Sequence, residues 1–292
     1  MKKIFDIAVL RGDGIGPEVV DAALKVLGEI EVIYGYQFNL LNGKIGAEAI
    51  ETEGAPLSDQ TISLCKSADG ILFGAIGDPK YDNAPDLSIR PEQGLLQLRK
   101  ALGLYANIRP VSAYDVLLDK SPLKEERIKD VDLVIYRELT GGIYFGEKGY
   151  DEKGGAFDHC TYSIEEVDRI LHLGFKAALT RRKKLTLVDK ANVLETSRLW
   201  RKRASALRTK YPEVELDFLF VDNAAMQLIL NPKQFDVILT ENLFGDIISD
   251  EASVIGGSIG LLASASVGKE NALFEPIHGS FPQAKGKDIA NP

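Results

Sequence analysis

Short apolar segments alternate with amphipathic segments along most of this 292-residue chain, and that alternation most constrains its fold. Residues 4–10 have the pattern of a buried strand, and residues 18–30 repeat apolar side chains at helical spacing. A second extended segment is predicted over 32–41. Strands that alternate with helices favour an α/β fold with a largely parallel sheet.

The alternation continues towards the C-terminus. Ser58 and Ser163 are predicted to cap helices that run to Lys66 and to about Thr180, because a serine side chain accepts hydrogen bonds from the first turn. The other predicted elements are helices at 47–51, at 193–208 and from about 242, and strands at 70–73, 185–188, 214–221 and 235–239.

Two stretches depart from this pattern. Residues 139–162 are rich in glycine and aromatic residues, which predicts antiparallel hairpins that project as an arm. Residues 253–266 are small and apolar, a composition that suits close helix–helix packing. We expect two α/β domains, the first from residues 1–103 plus 257–292 and the second from residues 104–256 with the arm.

Composition excludes several classes of protein. A net charge of −8 argues against nucleic acid, whose phosphates require a basic surface, but local arginines can still bind small anions. Two cysteines give no disulfide framework and fit a reducing compartment. The first ten residues lack the pattern of a signal peptide, and no stretch is apolar for long enough to cross a bilayer. We therefore expect a cytoplasmic protein that binds neither membrane nor nucleic acid.

Three aspartates carry the strongest chemical signal. Asp246 and Asp250 are four residues apart on a predicted helix, so both carboxylates lie on one face. A solvated acidic pair is one interpretation, but the helix is otherwise apolar, and Asp222 follows a predicted strand, where sites of parallel sheets assemble. Three hard oxygen ligands would suit Mg²⁺ or Mn²⁺.

Several basic residues would complement such a centre. Lys190 also follows a predicted strand, and a neighbouring cation would favour its neutral, basic form, although a lysine in this position is commonly a surface residue. Arg99, Arg109 and Arg137 suit a dicarboxylate, because guanidinium groups bind carboxylates in pairs of hydrogen bonds. Three structural salt bridges are the alternative. Tyr144 is either a packing residue of the arm or a proton donor.

The glycines at positions 12, 14 and 16 follow the first strand but are spaced G-x-G-x-G, not G-x-G-x-x-G. No acidic residue clearly ends a second strand to bind a ribose. The pattern therefore argues against an ordinary dinucleotide-binding fold.

Six motifs occur in order along the chain: RGDGIGPE at 11–18, LRK at 98–100 with ANIRP at 106–110, RELTGGIYFGE at 137–147, DKANVLE at 189–195, ENLFGDIISD at 241–250 and EPIHGS at 275–280. Together they resemble the β-decarboxylating dehydrogenases, which include isocitrate, isopropylmalate, homoisocitrate and tartrate dehydrogenases. The resemblance implies two α/β domains, a cofactor site that is not of the Rossmann type and a β-hairpin arm.

The resemblance implies a role for each candidate. Arg99, Arg109 and Arg137 would bind substrate carboxylates. Asp222, Asp246 and Asp250 would hold Mg²⁺ or Mn²⁺, with Asp222 also near the substrate. Lys190 would act as the base and Tyr144 as the acid, and Lys190 and Asp222 would come from the partner chain of a homodimer. The small-residue segment after Ser249 and the arm would form that interface.

Substrate and cofactor follow by the same reasoning. Isocitrate dehydrogenases carry a substrate-binding serine in the helix before Arg99, whereas this chain has Glu92, Leu95 and Leu96. Leucines suit a branched alkyl group, so the resemblance implies 3-isopropylmalate and a role in leucine biosynthesis. The residues implied for NAD binding are Asn192, Glu275, His278, Gly279, Ser280, Gln283 and Asn291. Gln283 replaces an aspartate found in many NAD-using relatives, but it offers no charge to an NADP phosphate, although Lys285 and Lys287 lie nearby.

Alternatives remain at this point. A relative that acts on tartrate, malate or homoisocitrate would share these motifs. Family members also continue with further helices beyond the position of Pro292, and these would cover one face of the first sheet. A chain that ends here is therefore expected to be unstable or inactive, or to be a metal-binding dimer without turnover.

Overall fold

The computed structural model describes residues 3–82 and 89–290, which form two compact units: Met1–Leu104 with Ala263–Pro292, and Tyr105–Leu262. Each unit is built from strands and helices of a mixed α/β fold, as the alternation of the sequence predicts. No described helix has the length and apolarity needed to span a membrane.

In the first unit the strand order is β2-β1-β3-β12-β11. The strands are β1 (Ile4–Gly12), β2 (Gln37–Gly43), β3 (Gly70–Ala75), β11 (Ala263–Val267) and β12 (Ala272–Pro276). The helices are α1 (Gly16–Tyr34), α2 (Ala47–Glu53), α3 (Asp59–Ser67) and α4 (Pro91–Ala101). Neighbouring strands are parallel except for β11 and β12, which are antiparallel. Leu10, Ile71, Leu98 and Leu104 are among the buried side chains of its core.

In the second unit the order is β4-β5-β10-β8-β9. The strands are β4 (Ala106–Ser112), β5 (Asp132–Glu138), β8 (Lys184–Asp189), β9 (Glu215–Phe220) and β10 (Val237–Thr240), and β6 (Lys148–Tyr150) pairs with β7 (Ala156–Asp158) in a separate hairpin. The helices are α5 (Glu125–Ile128), α6 (Ile164–Leu179), α7 (Glu195–Leu207), α8 (Val221–Leu230) and α9 (Asn242–Ser253). β4 is antiparallel to β5, whereas β5, β10, β8 and β9 are mutually parallel.

The two predicted serine caps are confirmed. Ser58 accepts from the backbone N–H of Thr61, and Ser163 accepts from that of Glu166, whose side chain in turn accepts from the backbone N–H of Ser163. This reciprocal pair satisfies two N–H groups that the first helical turn leaves without partners.

Three predictions of local structure are wrong. α1 continues to Tyr34, where Gly35 ends it in a left-handed conformation, so the predicted extension over 32–41 begins only at Gln37. Of residues 253–266, predicted to suit helix–helix packing, only Ser253 is α-helical, as the last residue of α9; the rest make 3₁₀ turns and then strand β11. In β11 the small side chains alternate between buried and more exposed positions. The hydroxyl of the buried Ser266 donates a hydrogen bond to Glu275 of β12. Val221, predicted to end a strand, instead begins α8.

The arm region contains a single described hairpin, β6–β7, preceded by a 3₁₀ turn at Gly142–Tyr144. Gly142 has φ of +76°, and an added Cβ would lie 2.2 Å from the hydroxyl oxygen of Tyr162. Glycine is therefore required at this turn, which sets the position of Tyr144.

Candidate functional site

The predicted site residues of the second unit gather at one edge of its sheet. β5, β8, β9 and β10 are parallel, so their carboxyl ends share an edge, where ligand sites of such sheets are usually found. Arg137 is the penultimate residue of β5, Lys190 follows β8, and Asp222 is the second residue of the helix after β9. Helix α9, after β10, carries the remaining two aspartates.

Helix α9 presents Asp246 and Asp250 on one face and packs closely against β5 on another. An added Cβ at Gly245 would lie 2.6 Å from the Cγ atom of Arg137, so glycine lets the helix approach this side chain. Ser249 and Ala252, also on α9, are fully buried. This packing places Asp246 beside Arg137 of β5 and Asp250 beside Arg109 of β4.

Arg137 is a buried cation with carboxylate and amide partners. Its side chain is 7% exposed, and Nη1 donates to Oδ1 of Asp246. Nε and Nη2 both donate to Oδ1 of Asn242, at 3.1 and 2.8 Å. Its guanidinium carbon also lies 5.7 Å from the ring centroid of Tyr144. These partners fix the plane of the guanidinium group.

Tyr144 shares Asp246 with Arg137. Its hydroxyl donates to Oδ2 of Asp246 at 2.7 Å. Tyr144 belongs to the 3₁₀ turn at Gly142–Tyr144 and not to a strand. Burial, followed by the hydrogen bond to Asp246, raises the pKa of Tyr144. The phenol therefore keeps its proton at neutral pH, as a proton donor must.

Arg109 makes the equivalent contact one helical turn further along α9. Its Nη1 donates to Oδ1 of Asp250 at 2.8 Å and also to the hydroxyl of Ser249. Its Nε donates to Oδ1 of Asn107 at 2.8 Å. The side chain of Arg109 is only 12% exposed, whereas that of Asp250 is 61% exposed, so the carboxylate is open to solvent.

We call Arg109, Arg137, Tyr144, Asp246 and Asp250 the Asp246 cluster. It combines an Arg137–Asp246–Tyr144 group with an Arg109–Asp250 ion pair one helical turn further along α9. Such a set offers charge-assisted hydrogen bonds to an anion and oxygen ligands to a cation at the same place.

Lys190 and Asp222 form a second, separate group, which we call the Lys190 pair. Nζ of Lys190 donates to Oδ1 of Asp222 at 2.6 Å, and that hydrogen bond lowers the pKa of Asp222. Within residues 3–82 and 89–290, no group of three or more His, Cys, Asp or Glu side chains is placed to hold a metal ion. A single chain therefore does not bring Asp222 together with Asp246 and Asp250.

In the first unit, Arg99 lies on α4 and donates to Oε1 of Glu275 at 2.8 Å. Both side chains are largely buried, at 18% and 8% exposed. Leu95 packs into the core of this unit, while Leu96 is half-buried and Glu92 is exposed. Of the two leucines, Leu96 is the more accessible to a ligand.

The predicted cofactor loop lies against the N-terminal glycine turn. The carbonyl of Ser280 accepts from the backbone N–H of Ile15 at 2.8 Å, and Gly286 donates to Glu18 of α1. His278 bonds through Nδ1 to the carbonyl oxygen of Gly279, and Gln283 is exposed. Asn192, in the second unit, precedes α7, and the predicted ligand Asn291 lies outside the described residues.

The glycine turn itself has a structural role. Asp13 is 6% exposed and accepts from the backbone N–H groups of Ala47 and Gly77, at 2.8 and 2.9 Å. Burial raises the pKa of Asp13. Gly14 has φ of +58°, and an added Cβ would meet the carbonyl of Ser280 at 1.9 Å. The turn thus joins separate segments of the first unit through its own aspartate and glycines.

Two buried polar residues of the site region are not predicted from the sequence. Glu138 is fully buried and accepts from the backbone N–H groups of Thr140 and Gly141, and Asn242 holds Arg137. Both sit inside recognised motifs, but their spacing gives no sign of their contacts. The available signal is a polar residue at the end of a buried strand or two residues beyond it.

Comparison with known proteins identifies the family. The family model described as isocitrate/isopropylmalate dehydrogenase matches residues 6–292. The chain belongs to this family. It is 55% identical to a 3-isopropylmalate dehydrogenase of Wolinella succinogenes and 54% identical to one of Aquifex aeolicus, covering the whole chain and 81% of each relative.

Solved structures of the isocitrate/isopropylmalate dehydrogenase family agree. An isocitrate dehydrogenase from Methylococcus capsulatus superposes with a TM-score of 0.85 at 36% identity, covering 99% of this chain and 81% of that one. A β-decarboxylating dehydrogenase from Thermococcus kodakarensis gives 0.80 at 35% identity, covering 99% and 79%. The predicted fold class is confirmed, including the small antiparallel hairpin sheet.

Proposed function

We propose that this protein catalyses the oxidative decarboxylation of 3-isopropylmalate to 2-oxoisocaproate with reduction of NAD, a step of leucine biosynthesis. The relatives named above as 3-isopropylmalate dehydrogenases support the substrate. The observation that carries the chemistry is the Asp246 cluster, in which two largely buried arginines each contact an aspartate of one helix face.

Arg109 and Arg137 are the proposed carboxylate-binding residues of the second unit. Both are largely buried and held by amide side chains, so they lose little conformational freedom when an anion binds. Their charges are balanced by Asp250 and Asp246 in the unliganded protein. In the first unit we assign Arg99 to carboxylate binding. Glu92, Leu95 and Leu96 of the same helix are assigned to the substrate, with the half-buried Leu96 facing the alkyl group in this proposal.

The donor set fits a hard divalent cation. Asp246 and Asp250 offer carboxylate oxygens on one helix face, and Asp222 would be the third ligand; such oxygen ligands suit Mg²⁺ or Mn²⁺. Bound metal and NAD would supply Lewis-acid polarisation of substrate oxygens and a hydride acceptor. Arg109 and Arg137 would then be released from the two aspartates to the substrate.

The protein's own residues would move the protons. Nζ of Lys190 would take the hydroxyl proton of the substrate as a hydride leaves C2 of the substrate. In the described chain, Nζ is held by a 2.6 Å hydrogen bond to Oδ1 of Asp222. Loss of carbon dioxide from the β-carboxylate of the resulting 2-keto acid leaves an enolate. The hydroxyl of Tyr144, which its raised pKa keeps protonated, would deliver a proton to the enolate carbon.

We assign NAD to the loop that follows β12. The proposed contacts are Asn192, Glu275, His278, Gly279, Ser280, Gln283 and Asn291. Gln283 is exposed and neutral, which suits a ribose hydroxyl better than a 2′-phosphate. Lys285 and Lys287 are exposed too, so NADP is the cofactor to compare directly.

We further propose a homodimer with shared sites. The Asp246 cluster lacks a lysine, and the Lys190 pair contains one aspartate, so each holds half of the required set. A two-fold axis would bring the Asp246 cluster of one chain to the Lys190 pair of its partner.

An absorbance assay of NADH formation tests the function. We expect turnover with 3-isopropylmalate, a divalent cation and NAD, slower turnover with NADP, and a loss of at least about 100-fold in Asp246→Asn. The matched control is Asp115→Asn, an exposed aspartate of the same unit, which should retain full activity. Equal turnover of malate and 3-isopropylmalate would overturn the proposed substrate.

Complementation tests the shared site. Asp246→Asn and Lys190→Met, each inactive alone, are co-expressed with different tags. Random pairing makes about half of the dimers mixed, and each mixed dimer has one intact site out of two. About a quarter of wild-type activity should therefore return. No recovery in isolated mixed dimers would refute the shared arrangement.

A further inference from the structure

Asn242 is a buried amide at a junction of three segments. It is the first residue of α9, only 1% exposed, and lies four residues before Asp246. Its backbone N–H donates to the hydroxyl oxygen of Tyr162 at 3.0 Å. This backbone contact anchors the start of the helix that carries the aspartates, independently of the Asn242 side chain.

The Asn242 side chain uses both of its polar atoms. Oδ1 accepts from Nε and Nη2 of Arg137, and Nδ2 donates to the carbonyl oxygen of Gly141 at 3.2 Å. Gly141 precedes the 3₁₀ turn that ends at Tyr144. One amide thus joins the substrate-binding arginine to the turn that carries the proton donor.

An amide is the group these contacts require. Oδ1 serves as an acceptor for a cation, while Nδ2 serves as a donor to a carbonyl, and both ends are buried. Aspartate would keep the acceptor and lose the donor, whereas alanine would lose both. The two contacts can therefore be separated by substitution.

We propose that Asn242 is a positioning residue that orients Arg137 for substrate carboxylate binding and holds the Tyr144 turn for proton delivery. Through Nε and Nη2 it fixes the guanidinium plane, so that Nη1 faces Asp246 and the substrate side. This proposal rests on the proposed function, because it assigns Arg137 to the substrate and Tyr144 to the proton.

Steady-state kinetics of two variants test the proposal. In Asn242→Ala we expect KM for 3-isopropylmalate to rise about tenfold or more and kcat to fall, because two hydrogen bonds to a charged group are lost. In Asn242→Asp the acceptor returns, so KM should recover most of the way while kcat stays low. Thermal unfolding confirms that each variant is folded at the assay temperature.

An unchanged KM in folded Asn242→Ala, or a KM in Asn242→Asp as high as in the alanine variant, would overturn the role at Arg137. A fully restored kcat in Asn242→Asp would overturn the role at the Tyr144 turn.

A measurement without substrate separates this proposal from the proposed function. In the unliganded protein, the Nε–H of Arg137 should exchange slowly with solvent in proton–nitrogen spectra, its signal being assigned by its absence in Arg137→Lys. Asn242→Ala should accelerate that exchange. Wild-type protein that shows this protection but no turnover would refute the function alone; equal exchange in both proteins would refute the positioning.

Discussion

The residue just before α9, Glu241, is a buried acid whose ionisation should destabilise the fold. It is 6% exposed, and its Oε2 atom has no hydrogen-bond partner among the described residues. Burial, and secondarily the charge of Asp189, raises the pKa of Glu241 from 4.5 to about 7. Replacement by glutamine keeps the shape of the side chain and removes the titration.

The sign follows from proton binding in the two states. Between about pH 4.5 and pH 7 the unfolded chain releases the Glu241 proton while the folded protein retains it, so the free energy of unfolding falls as pH rises. The full difference corresponds to about 3 kcal/mol, at 1.36 kcal/mol for each pKa unit. Most of that loss, about 2.5 kcal/mol, accrues between pH 5 and pH 8.

Urea unfolding of wild type and Glu241→Gln at both pH values measures the effect. We expect the variant to gain about 2 to 3 kcal/mol relative to wild type as pH rises from 5 to 8. Other titrating groups cancel in this difference. Glu152→Gln, at an exposed glutamate of the β6–β7 hairpin turn, is the control and should change by less than about 0.5 kcal/mol.

A pH-independent difference between Glu241→Gln and wild type would refute the reasoning. It would mean that the carboxyl ionises as easily in the folded protein as in the unfolded chain. An increase in stability confined to the acidic side would contradict the sign of the pKa shift.

Three further predictions concern other positions. Gly142→Ala should reduce kcat at least about tenfold, because its Cβ would clash with a tyrosine hydroxyl beneath the turn that carries the proposed acid; an unchanged kcat would contradict this. Glu275→Ala should lower the free energy of unfolding by about 3 kcal/mol in urea titrations, since Arg99 would keep a largely buried charge without its carboxylate. Lys190→Met should raise the pKa of Asp222, measured by carbon NMR of its carboxyl group, because the lysine hydrogen bond lowers that pKa; no change would show that the pair does not form in solution.

The sequence predicts the secondary structure and the family better than the contacts of the site. Caps at Ser58 and Ser163 are local, since the serine and its N–H partner lie within three residues. The four-residue spacing of Asp246 and Asp250 likewise predicts a shared helix face. These features depend on nearby residues alone and can be derived without a structure.

The wrong predictions and the missed contacts arise at longer range. Residues 263–267 form a strand because their neighbour β12 supplies its hydrogen bonds, a partner that small side chains do not reveal. The bonds between Arg137 and Asn242 join residues 105 positions apart, and both side chains are commonly exposed types. In the folded protein both side chains are buried. That burial depends on the packing of the whole unit and not on nearby residues alone.

In the segment that leads into α9, two adjacent buried residues affect different properties of the protein, one its stability and the other its proposed substrate binding. Glu241 and Asn242 are both buried, but the amide has three side-chain hydrogen bonds while the acid has an oxygen without a partner among the described residues. Burying an unsatisfied polar atom costs free energy that a satisfied one does not. The Asn242 side chain contacts Arg137 of the Asp246 cluster. At pH 8, Glu241→Gln should therefore stabilise the protein without changing the KM for 3-isopropylmalate. Asn242→Ala should change that KM whatever its effect on stability.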